Sequence, residues 1–255
     1  MLNSEREGYR VTDPEISTID SELNKKIYSG KDFVPKKQKS GSWHSDIAFE
    51  PVPADYSSLR LEKLPKTGGD TLWASGYEIY DRISPPYQKF LESLTATFEQ
   101  PGFINAAARA GFELYEKPRG SPENTGKTLT AVHPVVRTNP VTGWKSVFPV
   151  GGHVGYINDV SELESKALLE WFLRLLVDNH DLQVRFKWTN QNDLAIWDNR
   201  SVFHSATADI EGQGERYGVR AVSIGERPYL DPESKSRTED LRAQAEAAET
   251  VTAAA

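Results

Sequence analysis

His44 and Asp46 stand two residues apart in the run Trp43-His44-Ser45-Asp46. Imidazole and carboxylate are both metal-ligand types. Residues i and i+2 of a β-strand point to one face, so the pair is placed to grip one ion. Alone, a His-x-Asp pair says little. Gly68-Gly69-Asp70-Thr71 follows it, then Trp197-Asp198-Asn199-Arg200, His204, and the pair Arg216 and Arg220. A further ligand type and an anion clamp, in that order, read as an iron site of the two-histidine, one-carboxylate kind. Such a set occupies one face of an octahedral ion and leaves three adjacent positions. Two suit a bidentate 2-oxo acid and one suits O2. By position, His204 is the third ligand.

If Tyr217 to Ile224 is a strand, Arg216, Gly218 and Arg220 share a face. Two inward arginines are costly without anionic partners. A guanidinium holds a carboxylate in a planar, bidentate way, so this face suits a dicarboxylate, with Gly218 leaving a slot between the two. A pair of surface arginines is the plainer alternative. Among the other histidines, His133 precedes Pro134 inside an apolar run and reads as structural. His180, between Asn179 and Asp181 at a helix end, suits the helix dipole. His153 follows Gly151-Gly152, where backbone can approach a ligand closely, and its role stays open.

The elements that must position these residues fit a chain of 255 residues with 38% hydrophobic and 26% charged content, enough for a full core. A net charge of −7 argues against general affinity for nucleic acid or anionic membrane. With no cysteine, disulfides, zinc-thiolate sites and a cysteine nucleophile are excluded. No signal-peptide core or membrane-length apolar run is present, so a cytoplasmic enzyme is the expectation.

Residues 1–41 read as a polar arm with Lys31, Lys36, Lys37 and Lys39, either solvated or forming a rim beside the site; Asp20 to Tyr28 suggests a short helix. Ser42 to Phe49 reads as a strand ended by Pro51 and Pro53. Leu59, Leu61 and Leu64 alternate with charged residues as a second strand, and Asp70 to Trp73 is extended. Ser75 to Ile83 and Ser84 to Thr95 read as helices, the second with a buried stripe of Tyr87, Phe90, Leu91 and Leu94. Phe98 to Thr128 reads as an irregular excursion that closes over a site. Strands are expected over Thr130 to Arg137, Trp144 to Val150, Gln183 to Trp188, Asp193 to Trp197 and Tyr217 to Ile224. Ser161 and Glu164 form a capping box for a helix to Val177. The boundaries are then an arm at 1–41, one domain at 42–228, and a polar tail at 229–255 that ends in a surface helix. The fold class is mainly β with packed helices, an antiparallel sandwich or jelly roll.

Taken together, several motifs resemble the Fe(II)/2-oxoglutarate-dependent dioxygenases of the taurine dioxygenase (TauD/TfdA) family, and its fungal branch most. They are Trp43-His44-Ser45-Asp46, the run Thr67 to Trp73, the run His133 to Gly143, Trp197-Asp198-Asn199-Arg200, His204 and Arg216, and the match spans about Ser42 to Pro228. The resemblance implies a double-stranded β-helix, with His44, Asp46 and His204 as iron ligands. It implies that Thr71 and Arg216 hold the far carboxylate of 2-oxoglutarate. Arg220 then meets the near end of that co-substrate and the anionic end of the substrate. His153 stands where the taurine enzyme has an aromatic substrate contact, so His153 joins Arg220 as a substrate-binding candidate. Only 43 residues precede His44, fewer than is usual in the family, so a shortened or a divergent N-terminal region is the expectation.

The implied reaction consumes Fe(II)-activated O2 and 2-oxoglutarate. It oxidises an aliphatic C–H of a small anionic substrate, a sulfonate such as taurine foremost, and gives succinate and CO2. The alternatives are a hydroxylase or desaturase of another small metabolite, or a metal-binding homologue that has lost catalysis and acts as a binding module. The partner is a small molecule, with neither nucleic acid nor membrane, and assembly into a homo-oligomer is compatible with the sequence.

Overall fold

The computed structural model describes residue 13 and residues 15–28, 42–111 and 113–253. The lysine cluster expected at Lys31 to Lys39 lies outside them. The described residues are mainly β, in antiparallel sheets. One sheet runs in the order β1 (Ser17–Asp20), β12 (Tyr217–Ile224), β2 (Ala54–Lys63), β10 (Leu194–Asp198). A second has β11 (Val202–Ala206), β3 (Thr71–Ser75) and β9 (Gln183–Phe186). A third has β5 (Thr130–Pro134), β4 (Thr95–Glu99) and β8 (Val154–Ile157), and β6 (Val136–Thr138) pairs with β7 (Lys145–Val147). The helices are α1 (Ser21–Tyr28), α2 (Gly76–Asp81), α3 (Pro85–Leu91), α4 (Pro101–Ala110), α5 (Glu162–Val177) and α6 (Arg237–Ala253). No helix among the described residues is long and apolar enough to cross a membrane.

Alternation decides β2. Leu59 and Leu61 turn inward onto Trp188 and Trp197, while Arg60 and Glu62 turn outward and pair at 2.6 Å. The capping box decides α5. The Ser161 hydroxyl accepts from the Glu164 amide, and the Glu164 carboxylate accepts from the Ser161 amide. Phe172 and Leu176 on this helix reach the main core beside Phe49, Phe98 and Phe148. The tail forms the expected surface helix, tied down at its start by Trp144 to Asp240 and Arg237 to Glu78.

Several expectations need correction. Ser42 to Phe49 is no strand: His44 alone makes a bridge, to His204, and Asp46 to Phe49 is a turn with Ile47 at φ +46°. Side chains take the place of a ladder there, because Asn199 binds the Asp46 amide and Ser45 binds the Asn199 carbonyl. On α3, Leu91 and Leu94 are buried but Tyr87 and Phe90 are exposed, with Tyr87 resting edge-on against Trp171. The Phe98 to Thr128 stretch includes α4, capped by the Gln100 side chain and ended by Gly111 in the left-handed region. Its Gly/Ala composition leaves no apolar stripe to read. Part of the polar arm is built into a sheet: β1 pairs with β12, and Ser21 Oγ accepts from the Arg216 amide at 3.1 Å.

The rest of the excursion is bolted to the loop that follows Asp46. Arg119 forks onto the buried Glu50 carboxylate at 2.6 and 3.0 Å, and Asn124 binds both the N–H and the C=O of Val52. His133, wholly buried between Phe98 and Phe148, completes this support. Its Nε2 lies 3.0 Å from the Ala48 carbonyl and 3.1 Å from that of Glu50. Carbonyls only accept, so Nε2 carries the proton. Burial, with the Arg137 charge behind it, pushes the imidazole down to about 4. The unfolded chain takes up that proton near 6.5, the folded chain near 4. The unfolded state therefore holds more protons between those values, and stability falls as pH falls through them. Urea midpoints of the parent and His133→Gln, taken from pH 7 to pH 4.5, should differ in slope by about one proton. Parallel profiles would contradict this placement.

Candidate metal centre

The turn after β-bridge residue His44 brings three ligand-type side chains together. One ligand atom each from His44, Asp46 and His204 lies within 4.8 Å of the others. His44 and His204 are locked to each other by a reciprocal backbone pair, N–H to C=O at 3.1 and 2.9 Å. Asp46 Oδ1 faces both rings, 3.8 Å from His44 Nε2 and 3.7 Å from His204 Nε2. His204 sits within β11, the strand that follows the end of β10 at Asp198.

The donor chemistry fits a cation. His44 Nδ1 lies 2.9 Å from the Ser42 carbonyl, which only accepts. Nδ1 therefore carries the proton and Nε2 presents its lone pair towards Asp46. Burial lowers the His44 imidazole and pushes His204 down to about 3, so both rings are neutral, as ligands must be. Burial would raise the Asp46 carboxyl, but Arg220, then His204 and His44, and the Ser57 hydroxyl hold it well below the usual carboxylate range. Cis ligands at about 2.1 Å from an octahedral ion stand roughly 3 Å apart. The gaps of 3.8 and 3.7 Å from Asp46 Oδ1 to the two ring nitrogens thus need to close by less than about 1 Å to share one. His44 keeps 27% of its side chain exposed, so the centre is open on that side.

Residues the sequence reading assigned no role carry this arrangement. Ser57 on β2 donates to Asp46 Oδ2 at 2.7 Å. Asn199 donates to Ser57 at 2.7 Å, and its carbonyl oxygen accepts from the Asp46 amide and from Trp197 Nε1. The Trp-Asp-Asn motif hints at Asn199, but nothing in the sequence points to Ser57.

Arg216 and Arg220 have separate jobs. Arg216 is buried, with Nε donating to the Gly69 carbonyl at 2.9 Å and Nη2 to the Thr71 hydroxyl at 3.4 Å. Burial pulls its guanidinium down to about 10. The Thr71 hydroxyl also accepts from Trp188 Nε1 at 3.0 Å, so its own proton is left to donate elsewhere. Trp188 is a second supporting residue that the sequence does not flag. Arg220 Nη1 donates to Asp46 Oδ1 at 2.5 Å, while its buried Nε has no partner among the described residues. A carboxylate oxygen has two lone pairs, so Oδ1 can serve an ion and Arg220 together. Gly218 leaves no slot between the arginines. A Cβ there would stand 2.3 Å from the Arg60 carbonyl, because β2 closes on β12 at a bulge.

His153 reaches the centre from the loop before β8. Its ring is 5.0 Å from that of His44 and 5.1 Å from that of Phe49, both edge-on. Burial pushes its imidazole down to about 3, and the neighbouring His44 ring acts in the same direction. Gly151 allows this approach: at φ +87° a Cβ would lie 1.7 Å from the Trp43 carbonyl. On its outer side the loop borders a groove of about 940 Å³ between β8 and α5, and none of the three ligand-type residues lines it. His180 is exposed and far in sequence from any of these contacts.

The site is thus a His-Asp-His cluster able to hold a metal ion, with Arg220 on its carboxylate and Arg216 beside Thr71. Comparison with known proteins agrees. The family model described as "Taurine catabolism dioxygenase TauD, TfdA family" matches residues 4–222, and the chain belongs to that family of oxidoreductases. It is 53% identical over 238 residues to the alpha-ketoglutarate-dependent dioxygenase btcD of Neocamarosporium betae, covering 89% of this chain and 69% of that one. It is 34% identical over 192 residues to the alpha-ketoglutarate-dependent sulfonate dioxygenase of Saccharomyces cerevisiae, covering 75% of this chain and 44% of that one. A solved taurine dioxygenase from Burkholderia xenovorans superposes with a TM-score of 0.67 at 25% identity, over 91% of this chain and 68% of that one.

Asn199→Ala removes the residue that joins the Asp46 amide, Trp197 and Ser57 while leaving all three candidate ligands in place. Supporting bonds of this kind are worth about 10–100-fold in metal affinity. An anaerobic Mn(II) titration followed by electron paramagnetic resonance should show a loss in that range, and an unchanged affinity would remove Asn199 from the centre.

Proposed function

We propose that this chain is an Fe(II)- and 2-oxoglutarate-dependent dioxygenase that oxidises an aliphatic C–H of a small anionic substrate, a sulfonate such as taurine foremost. The observation that carries the reading is the convergence of His44, Asp46 and His204 with Arg220 on one side and the Arg216–Thr71 pair on the other. In this reading the two sheets that carry β12 and β3 are the faces of a double-stranded β-helix, and 42–228 is the dioxygenase unit with 229–255 as its tail.

His44, Asp46 and His204 hold the iron. When bound, iron(II) supplies O2 activation, coupled to decarboxylation of 2-oxoglutarate to succinate and CO2 and to oxidation of the substrate C–H. Everything else falls to the chain's own groups. Arg216 forks onto the far carboxylate of 2-oxoglutarate, and Thr71 adds the proton that Trp188 and Arg216 leave free. Arg220 keeps Asp46 ionised through its Nη1 and turns its remaining donors to an anionic head group. His153 contributes a second donor there. Phe49 stands edge-on to His153 and Trp197 tilts against Trp73 and His204, so apolar rings pack around the centre and limit water there. With a sulfonate, oxidation next to sulfur releases sulfite and an aldehyde.

The test is succinate formation from 2-oxoglutarate with Fe(II), over a panel of sulfonates, sulfate esters and carboxylates. Asp46→Ala should abolish it with the fold retained, as judged by circular dichroism. Arg216→Ala should raise the half-saturating 2-oxoglutarate concentration about ten- to a hundredfold, since it removes a charge-assisted pair. The parent should couple an anionic substrate better than its neutral isostere, and Arg220→Ala should erase that preference. Equal coupling of both by the parent would refute charge selection, and an unchanged 2-oxoglutarate requirement in Arg216→Ala would move the clamp elsewhere.

A further inference from the structure

We propose that Gln100 is a positioning residue that fixes His153 as a hydrogen-bond donor to the head group of the substrate. The inference deepens the function proposed above and rests on it for the identity of that head group. It begins with an amide whose orientation is decided by its neighbours. The Gly102 amide lies 3.1 Å from Gln100 Oε1 at the start of α4. A backbone N–H only donates, so the oxygen of the Gln100 amide must face it. The nitrogen then faces His153 Nδ1, at 2.6 Å. An amide NH2 only donates, so Nδ1 accepts, and the proton of the imidazole resides on Nε2.

The ring cannot easily turn to undo this. It is wedged edge-on between His44 and Phe49, and its backbone carbonyl accepts from the Glu99 amide at 2.9 Å. Gln100 is held in turn by its own amide, bonded to the Leu129 carbonyl at 3.0 Å. The Nε2–H has no protein partner among the described residues. Gln is also an unusual residue for the cap. Shorter Ser, Thr, Asp and Asn are preferred at that position. A shorter side chain could cap α4, but it would not also reach His153.

The consequence is chemical selection. Arg220 and a His153 locked in this form offer donors and no acceptor. A fully ionised sulfonate or sulfate satisfies both. A head group that keeps a proton, such as a phosphonate monoanion or an alcohol, finds no acceptor for it.

Gln100→Ser separates the cap from the lock, because serine still accepts from the Gly102 amide but does not reach His153. Nitrogen-15 spectra of the histidine-labelled, zinc-loaded full chain report the tautomer directly, with His153 assigned by the signal lost in His153→Gln. The expected result is the Nε2–H form in the parent and its loss to a mixture in Gln100→Ser, with the thermal midpoint little changed. An Nδ1–H form in the parent, or an unchanged ring signal in Gln100→Ser, would overturn the lock. On the iron enzyme with taurine, or the best sulfonate or sulfate ester of the panel, Gln100→Ser should raise KM about tenfold and alter kcat less than threefold. An unchanged KM once the lock is lost would overturn the role in substrate binding. If the parent couples no anionic compound at all, the proposed function fails, while the ring signal still decides the lock.

Discussion

A carboxylate removed from water has to be surrounded by donors and cations, at a cost of several kcal/mol if they are missing. Asp46, 2% exposed, imposes that condition on the site. Its partners come from different strands: Ser57 from β2, Arg220 from β12 and His204 from β11. The register that sets Arg220 opposite Leu59, and His204 opposite Trp73, is therefore also what keeps this carboxylate ionised. A slip of one residue in either pairing would turn Arg220 or His204 to the other face and take a partner from the buried Asp46.

The same arrangement divides the site into two ends. Thr71 and His204 lie on neighbouring strands of one sheet, two register positions apart, while Arg220 belongs to β12 of the other sheet and Arg216 immediately precedes that strand. Contacts across the gap, Arg216 to Thr71 and Arg220 to Asp46, join them. Arg216 donates to two neutral oxygens, the nearer at 2.9 Å, and the buried Nε of Arg220 has no partner among the described residues. In the proposed function an anion supplies the partner that these buried cations call for, and a neutral molecule does not.

Reading the chain as sequence works where a pattern is local. The alternation of Leu59 and Leu61 and the Ser161–Glu164 capping box lead directly to β2 and α5, and Tyr217–Ile224 is read with its observed limits. The residue types of the centre are legible too, since His-x-Asp, a later histidine and two arginines four apart are chemistry written in order. What is not legible is held by bonds between distant positions. Asp46 sits in a turn and not a strand because Asn199, 153 residues away, replaces the ladder. Trp188 reaches Thr71 across 117 residues, and Ser57 reaches Asp46 from a strand whose pattern shows only that Ser57 is inward. Helix α4 escapes notice because its Gly and Ala residues give no stripe, and Tyr87 and Phe90 mislead because an aromatic residue on a helix need not face the core.

The account stands on one ion shared by His44, Asp46 and His204. A crystal structure of the chain with Mn(II) and an unreactive 2-oxoglutarate analogue tests it most directly. The account predicts a single ion within about 2.0–2.3 Å of both Nε2 atoms and of an Asp46 oxygen, with the far carboxylate of the analogue on Arg216 and Thr71. An ion bound elsewhere, or an Asp46 that stays on Arg220 and makes no contact with the ion, would contradict it.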